Sequence, residues 1–318
     1  MRVHNVSGPC AARVFGCAGG GRGGIRAGLP LLILCGRVEA EEGRRGRAGE
    51  GVSALYPFFT LGGVKLYAYG LMISLGLACA AGLACLRVHR RGGDLVRLAV
   101  LIAAVNAAGV VGAKLGYLVT TYPGGFPALG RDIRSIGFLR VIVERSGLVF
   151  YGGLILGLVT GALALRLMRL DFRLYSEAVV PVIPLGHAIG RIGCLLAGCC
   201  HGIPWDGPLA VHYRVIPGWE GNPPAGSYFP VQPLESLLNL FLFLALTLYT
   251  KRERPKYAVV AAYLLGYAAI RFGVEFLRGD PERGIHGPLS SSQWISLLAA
   301  LAGAGLMLII RRRQRREG

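Results

Sequence analysis

The 318-residue sequence has few charged residues, and few of these are acidic. Asp, Glu, Lys and Arg make up 16% of the chain, and 17 acidic residues stand against 35 Lys and Arg. Together with 53% hydrophobic residues, this composition excludes an ordinary soluble domain of the same length. The net charge of +18 does not indicate nucleic acid binding, because the chain has no basic patch interleaved with aromatic residues. The sequence therefore predicts a membrane protein.

Seven apolar segments are long enough to cross a hydrocarbon layer of ~30 Å, which takes roughly 20 residues of helix. They are residues 66–86, 96–119, 148–168, 176–197, 233–249, 257–276 and 293–310. Glycines at four-residue spacing, such as Gly153, Gly157 and Gly161, allow neighbouring helices to approach closely. We predict an all-α, polytopic membrane protein with about seven transmembrane helices in a compact bundle.

Basic residues follow the first, third, fifth and seventh spans, in short segments that contain almost no acidic residues. These segments all lie on one side of the membrane, and the positive-inside rule makes that side cytoplasmic. We therefore expect the N-terminus outside and the C-terminus in the cytoplasm. We expect the same basic residues to contact anionic lipid headgroups.

Residues 1–52 lack the composition of a folded domain, since they are rich in Gly and carry eight arginines. Their apolar run "LPLLILC" is too short to span a membrane and fits a weak signal peptide without a clear cleavage site. We predict a disordered extension at 1–52, which a mis-assigned start codon also explains. The transmembrane domain is then 53–313, and 314–318 form a basic cytoplasmic tail.

Polar side chains in six of the predicted spans fall near the outer end of each span. They are Tyr69, Lys114, Tyr151, Arg191, Glu235, Arg271 and Glu275. Ionisable residues inside a span are costly and usually face a cavity, a partner or a substrate. In one interpretation, Arg191 and Arg271 pair with the two glutamates and lock the bundle. In the other, the cations, with Arg278 added, outnumber the acids and bind a phospholipid phosphate, which guanidinium groups grip bidentately.

Several segments resemble the bacterial phosphatidylglycerol–prolipoprotein diacylglyceryl transferases, in the order found in that family. They are "YAYGLM", "GAKLGYLVTTYP", "GLVFYGGLILG", "PVIPLGHAIGRIGCLLAGCCHG", "FPVQPLESLLNLFLF", "GYAAIRFGVEFLR" and "LSSSQWISL". The combination of G-R-I-G with R-x-x-x-E-F-x-R is more specific than any one segment. The resemblance covers residues 56–313.

The resemblance implies a seven-helix enzyme of the bacterial inner membrane. Such an enzyme moves the diacylglyceryl group of phosphatidylglycerol to the lipobox cysteine of a prolipoprotein signal peptide and releases glycerol phosphate. By position, it implies that Arg191 and Arg271 are essential and that Tyr69 belongs to the site. We expect Tyr151 to be catalytic as well, and we expect no cofactor and no bound metal. The expected substrate-binding residues are Lys114, Gly190, Cys194, Glu235, Glu275, Arg278 and Gln293.

The reaction is an alkylation, in which a thiolate attacks the glyceryl carbon that bears the phosphoester. The acceptor thiol must lose its proton, because the thiolate is the nucleophile. Charge that develops on the leaving phosphate must be stabilised by fixed donors in a dry site. Arg191 and Arg271 suit the second task, since a guanidinium stays protonated and presents a planar fork.

The chain departs from the family pattern at two positions outside the cysteines. Tyr151 stands where the family usually has a histidine, and a tyrosine with a pKa of ~10 is a poor base. Lys114 stands where the family usually has an arginine, so the charge is kept but the fork is lost. His187 and His201 are candidate substitutes for the missing base.

Cysteines replace the asparagines and glutamate that the family usually has after G-R-I-G. Adjacent cysteines seldom chelate one ion together, so three interpretations of Cys194, Cys199 and Cys200 stay open: packing residues, a disulfide on the oxidising side, or a catalytic or metal site. Cys79 and Cys85 are expected to be packing residues.

Two alternative functions follow from these departures. One is a paralogue that uses the same lipid donor with a different acceptor. The other is a thiol- or metal-dependent membrane redox protein.

Overall fold

The computed structural model describes residues 52–53, 56–61, 64–120, 122, 125–137, 141, 149–214, 225–280 and 283–317. The extension predicted for residues 1–52 lies outside these residues, apart from Val52. The predicted basic tail belongs to the last helix as far as Glu317.

Helices dominate the described residues. They are α1 (Ala68–Arg90), α2 (Leu95–Thr120), α3 (Gly125–Ile136), α4 (Phe150–Leu167), α5 (Phe172–Val179), α6 (Ile183–Ala197), α7 (Val231–Tyr249), α8 (Ala258–Val274) and α9 (Ser291–Glu317). A 3₁₀ turn at Val180–Val182 joins α5 to α6, and another at Glu275–Leu277 continues α8.

The prediction of seven membrane spans is confirmed, because seven helical segments within the described ranges have the length and hydropathy to cross a membrane. The fourth span begins at Phe172, earlier than predicted, because the Asp171 side chain accepts a hydrogen bond from the Arg173 backbone N at 2.9 Å and caps the helix. The seventh continues to Arg316, since arginine is a good helix former. The orientation of the termini stays a prediction.

Short strands, which the sequence analysis did not predict, occupy the connections at one end of the bundle. β2 (Phe58–Leu61) and β3 (Val64–Tyr67) form a hairpin that leads into α1, with Phe58 opposite Tyr67. Between α6 and α7, β4 (Val211–Tyr213) pairs in parallel with β1 (Val52–Ser53) and antiparallel with β5 (Gly226–Tyr228). Between α8 and α9, β6 (Ile285–His286) pairs with β7 (Leu289–Ser290). We call this end, where α1 begins and α6 ends, the site end.

Glycines bring two pairs of helices into backbone contact. A Cβ on Gly152 of α4 would clash with the backbone carbonyl of Gly112 on α2. A Cβ on Gly76 of α1 would lie 2.7 Å from the Gly186 carbonyl oxygen of α6. Small residues allow this approach in a bilayer, where packing replaces the hydrophobic effect between helices. The second contact fixes α6 against α1.

The opposite end of the bundle is held by Glu177 of α5. Its carboxylate accepts hydrogen bonds from Arg91 at 2.9 Å and from Arg173 at 3.3 Å. Arg87 donates to the backbone carbonyl of Glu177 at 2.9 Å and to Thr250 Oγ1 at 2.6 Å. Arg87 and Arg91, which follow the first predicted span, and Arg173, which follows the third, therefore tie the ends of α1, α5 and α7 together.

Candidate active site

Arg191 lies on the buried face of α6 and pairs with Glu235 of α7. Its Nη2 is 2.8 Å from Glu235 Oε2, and the two residues are only 6% and 2% exposed. His187, one helical turn before Arg191, places Nε2 3.4 Å from Glu235 Oε1. A buried pair of this kind is costly to break, about 3–5 kcal/mol, because one charge is then left alone. The pair therefore fixes α6 against α7.

Arg271 of α8 joins three helices at the site end. Its Nη1 is 2.7 Å from Glu275 Oε2, and its Nη2 donates to Ser292 Oγ of α9 at 2.7 Å. The same hydroxyl lies 3.5 Å from the Tyr151 hydroxyl of α4. Sequence reasoning missed Ser292, whose only signal was its place beside Gln293 in the last family segment. The contacts link Arg271 to Tyr151, two residues that the sequence analysis assigned to catalysis.

Arg278 follows α8 and makes a bidentate pair with Asp280. Its Nε and Nη2 donate to the two Asp280 oxygens at 2.9 and 2.7 Å. Its Nε also lies 3.9 Å from Glu275 Oε2, so Glu275 sits between Arg271 and Arg278. Asp280 was missed because it follows the predicted span and was not assigned to the same depth.

These residues form one electrostatic group, which we call the arginine cluster. It contains Arg191, Arg271, Arg278, Glu235, Glu275 and Asp280. Arg271 also acts electrostatically on Glu235, and Arg191 acts on Arg278, so the separate pairs share one region. Asp280 brings the carboxylates to the same number as the arginines. The predicted surplus of cations is therefore not found within the cluster, and the interpretation in which the arginines pair with glutamates is observed.

The ion pairs leave donor atoms of the two central arginines incompletely bonded. Within the described part of the chain, the buried Arg191 Nε has no hydrogen-bond partner. Arg191 Nη2 and Arg271 Nη1 lie at ion-pair distance from carboxylates but lack hydrogen-bond geometry. A Cβ on Gly190 would meet nothing within 4 Å, so there is space next to Arg191. Buried donors without partners are costly, and an acceptor oxygen placed here would satisfy them.

Tyr69 and Lys114 occupy the site ends of their helices. Tyr69, near the start of α1, is 43% exposed and interacts electrostatically with Arg191. Its Cα would lie 3.4 Å from a Cβ on Gly193, so α1 packs directly on the turn of α6 after Arg191. Lys114 of α2 places Nζ 5.3 Å from the centroid of the Tyr117 ring. The substrate-binding role of Lys114 and the catalytic role of Tyr69 stay predictions.

Gln293 has a structural task at the start of α9. Its Oε1 accepts a hydrogen bond from the Ser290 backbone N at 3.0 Å, and Ser290 Oγ accepts one from the Gln293 backbone N at 3.2 Å. This reciprocal pair is a capping box. It positions Ser292 in the first turn of α9, and a direct role of Gln293 in binding substrate stays a prediction.

The three cysteines after Arg191 are brought together by the end of α6. Gly198 is left-handed, with φ of 75°, and the Cys199 backbone N bonds to the Cys194 carbonyl at 3.2 Å, as in a Schellman motif. Cys200 is also left-handed, with φ of 55°. The Sγ atoms of Cys194, Cys199 and Cys200 consequently lie within 4.8 Å of one another. We call them the thiol cluster; all three are free thiols, so the disulfide interpretation is not what the structure has.

The thiol cluster touches the arginine cluster. Arg191 Nη1 donates to Cys194 Sγ at 3.5 Å. Hydrogen bonding with Cys194 and Cys199 lowers the pKa of the Cys200 thiol well below its usual value, and Arg278 and Arg191 contribute to the same shift. Hydrogen bonding with Cys194 and Cys200, together with burial, raises the pKa of Cys199. Negative charge in the thiol cluster is therefore favoured at Cys200.

The turn that carries the thiol cluster is held from two sides. Gln232 Nε2 of α7 donates to the Cys199 carbonyl at 3.0 Å and to the Tyr213 hydroxyl at 2.8 Å. The Gly279 backbone N, just after α8, donates to the His201 carbonyl at 3.0 Å. The turn is therefore fixed by backbone contacts that do not depend on the thiols.

The two histidines proposed as substitute bases lie in different surroundings. His201 is buried, with Nδ1 2.9 Å from the Gly202 carbonyl oxygen and its ring 4.7 Å from that of Tyr228. His187 contacts Glu235 and is partly exposed, with 30% of its side chain accessible. His187 is thus the histidine placed beside the arginine cluster.

An open apolar groove with a volume of about 340 Å³ lies between α7 and α8, the helices that carry Glu235 and Arg271. Its lining includes Leu234 and Leu238 from α7 and Ile270 and Val274 from α8. A groove with this lining has the chemistry to contact a hydrocarbon chain.

Comparisons with known proteins give a consistent result. A protein of Clostridium perfringens (strain 13 / Type A) named phosphatidylglycerol–prolipoprotein diacylglyceryl transferase 2 is 32% identical over 255 residues, covering 80% of this chain and 95% of that protein. Proteins of Clostridium tetani (strain Massachusetts / E88) and Bordetella avium (strain 197N), named phosphatidylglycerol–prolipoprotein diacylglyceryl transferase, are each 33% identical. The alignments cover 77% and 81% of this chain and 93% and 95% of those proteins. The sequence model of the family described as prolipoprotein diacylglyceryl transferase matches residues 57–309. The chain therefore belongs to the prolipoprotein diacylglyceryl transferase family.

Proposed function

We propose that the protein transfers the diacylglyceryl group of phosphatidylglycerol to a cysteine thiol of a prolipoprotein and releases glycerol phosphate. Family membership and the names of the relatives support this activity. The observation that carries it is the burial of Arg191 and the low exposure of Arg271, whose side chain is 12% exposed, among apolar spans with guanidinium nitrogens that are not fully hydrogen-bonded. A lipid phosphate supplies the acceptor oxygens that these nitrogens lack.

In this proposal, Arg191 and Arg271 hold the phosphate from two helices, α6 and α8. The acceptor thiolate attacks the glyceryl carbon, a C–S bond forms, and the C–O bond to phosphate breaks with its electron pair leaving on oxygen. Fixed guanidinium donors stabilise the charge that develops on that oxygen, and they do so more strongly in a dry site than in water. Glu235 and Glu275 keep the two arginines in place. They also prevent the empty site from holding uncompensated cations.

Two groups are candidates to accept the proton of the acceptor thiol. Tyr151 lies where the family usually has a histidine and reaches Arg271 through Ser292. His187 contacts Glu235, which orients the ring as an acidic partner does for a catalytic histidine. The reference pKa of a histidine is closer to neutral pH than that of a tyrosine, which favours His187 for this task.

The acceptor in this proposal is the lipobox cysteine of a signal peptide, presented in the outer leaflet of the bacterial inner membrane. The basic segments after the odd-numbered spans support this orientation. The acyl chains of the donor lipid lie along the open apolar groove between α7 and α8, whose lining contains no charged residue. Membrane lipids are then both solvent and substrate.

Complementation of a bacterial strain depleted of its own transferase tests the proposal. The full chain is expected to restore growth and to restore the diacylglyceryl mass on a reporter lipoprotein, measured by mass spectrometry. A protein with Arg191→Lys, which keeps a positive charge beside Glu235, is expected to restore neither while reaching the membrane in equal amount. If the unmodified chain reaches the membrane, consumes phosphatidylglycerol and leaves the reporter unmodified, the acceptor is different. That result would favour the alternative in which the protein is a paralogue with the same lipid donor and a different acceptor. The cysteines at 194, 199 and 200, which differ from the usual family pattern, are the reason to consider this alternative.

A further inference from the structure

We propose that Cys194, Cys199 and Cys200 form a zinc site with three thiolate ligands and an open fourth position for the acceptor thiol. The proposal rests on the proposed transferase function and deepens it. It departs from the expectation that the protein needs no metal. It also gives a task to the residues in which this chain differs most from the usual family pattern.

The geometry of the thiol cluster is close to that of a zinc site. Zinc binds cysteine sulfur at about 2.3 Å, which places sulfur atoms of a tetrahedral site about 3.8 Å apart. The three Sγ atoms already lie within 4.8 Å of one another, so side-chain rotations that move them by ~1 Å complete the site. Adjacent cysteines rarely share one ion, because extended or helical backbone directs their side chains apart. Here the left-handed backbone of Cys200, with φ of 55°, removes that obstacle.

The interpretation of the three cysteines as packing residues does not explain the left-handed backbone of Cys200. A left-handed conformation is uncommon for residues other than glycine and marks a position that its surroundings hold in place. The surroundings are specific: Gln232 holds the Cys199 carbonyl, and Gly279 holds the carbonyl of His201. The cluster is therefore preorganised, as in metal sites where contacts outside the ligand set fix the positions of the ligands.

Zinc is the ion that fits the donor set and the reaction. Thiolates select soft or borderline ions such as Zn²⁺ and Cu⁺, and closed structural zinc sites have four protein ligands, whereas catalytic sites have three and an open position. Among the described residues the group contains three ligands. Arg191 Nη1 donates to Cys194 Sγ at 3.5 Å, so a cation lies against the sulfur set.

The open position lies where an acceptor thiol is useful. A thiol that coordinates zinc loses its proton, and the sulfur keeps enough electron density to attack carbon. The proton goes to the base of the proposed function, for which His187 is favoured; the sulfur forms the C–S bond, and the phosphate leaves with the electron pair of the C–O bond. The thioether product is neutral and binds zinc weakly, so it dissociates. Because Arg191 contacts both Cys194 and Glu235, the thiol and the phosphate meet at the same side chain.

Zinc content measured on matched variants of the full chain tests the proposal. One variant carries Ser at Cys10, Cys17, Cys35, Cys79 and Cys85 and keeps the thiol cluster; the other carries Ser at Cys194, Cys199 and Cys200 and keeps the other five. After purification without chelators, elemental analysis is expected to give one zinc per chain for the unmodified protein and the first variant, and none for the second. Co²⁺ substitution of the first variant is expected to produce the thiolate-to-cobalt charge-transfer band in the near ultraviolet.

Two results would overturn the zinc site: absence of zinc and of the cobalt band in the unmodified protein and the first variant, or equal zinc in both variants. The cobalt spectrum of the first variant keeps the test valid if the second variant does not fold. Metal content and transfer activity are measured separately, so the two proposals fail separately. If the protein binds zinc but does not transfer diacylglyceryl groups, the zinc site stands and the proposed transferase function is wrong. That result would favour a thiol-dependent protein. Transfer without zinc would remove the site alone.

Discussion

Replacing Arg191 with lysine is expected to lower kcat/KM for phosphatidylglycerol by about 10²- to 10³-fold. Lysine keeps the positive charge but has no planar fork, so it cannot contact Glu235, Cys194 and a phosphate oxygen together. Most of the loss is expected in kcat, because the interaction with the leaving phosphate is strongest in the transition state. The measurement is the initial rate of thioether formation in proteoliposomes as a function of the donor lipid fraction.

Arg254→Lys is the matched control for this substitution. Arg254 donates to the Tyr249 carbonyl at 2.9 Å and stacks on the Tyr249 ring, at the opposite end of α7 from Glu235. We expect its kcat/KM to stay within about twofold of the unmodified protein. If Arg191→Lys also stays within this range while its thermal unfolding is unchanged, Arg191 does not bind the reacting phosphate.

Replacing Arg271 with lysine is expected to lower kcat/KM by about 10²-fold, and Ser292→Ala by about 10-fold or less. Arg271 binds Glu275 and Ser292 with different guanidinium nitrogens, and a single ammonium group cannot reproduce both contacts with a phosphate present. Ser292 is neutral and acts through Arg271 and Tyr151, so its removal costs less. Rates and thermal unfolding of the two variants are measured side by side.

Ser296→Ala separates an effect at the site from a general effect on α9. Ser296 is buried one turn after Ser292 and donates to the Ser292 carbonyl at 2.8 Å. Its replacement is expected to change the unfolding temperature slightly and to leave kcat/KM within about twofold. Equal losses for Ser292→Ala and Ser296→Ala would assign the Ser292 effect to helix packing.

Full activity of Arg271→Lys would show that Arg271 does not bind the reacting phosphate.

Much of the fold could be predicted because membrane spans follow from a single physical constraint. A helix must hide its backbone from hydrocarbon over a fixed thickness, so a long apolar run is enough to identify it. The strands β4 and β5 could not be identified this way. They have three residues each, and Val211 pairs with Tyr228, which is distant in the sequence. No local sequence pattern indicates that these two segments pair.

Site residues could be predicted from the sequence where a charged side chain lies inside an apolar span. Site residues at the ends of helices could not. Arg191, Glu235 and Arg271 stand out because charge inside an apolar helix needs an explanation. Asp280 and Ser292 lie at helix ends, where polar residues are common, and only the folded chain brings them to Arg278 and Arg271. The thiol cluster was visible as a motif, but its geometry depends on left-handed backbone at Gly198 and Cys200, which sequence spacing does not reveal.

We propose that this chain holds a lipid phosphate at the buried Arg191 and the largely buried Arg271 while a thiol takes the diacylglyceryl group. The most direct test supplies purified protein with phosphatidylglycerol labelled in the diacylglyceryl part and a lipobox peptide, with no other protein present. We expect a labelled thioether on the peptide cysteine and one glycerol phosphate for each thioether formed, with both rates about 10²- to 10³-fold lower in Arg191→Lys. Labelled lipid that stays intact, or glycerol phosphate released without labelled peptide, would contradict it.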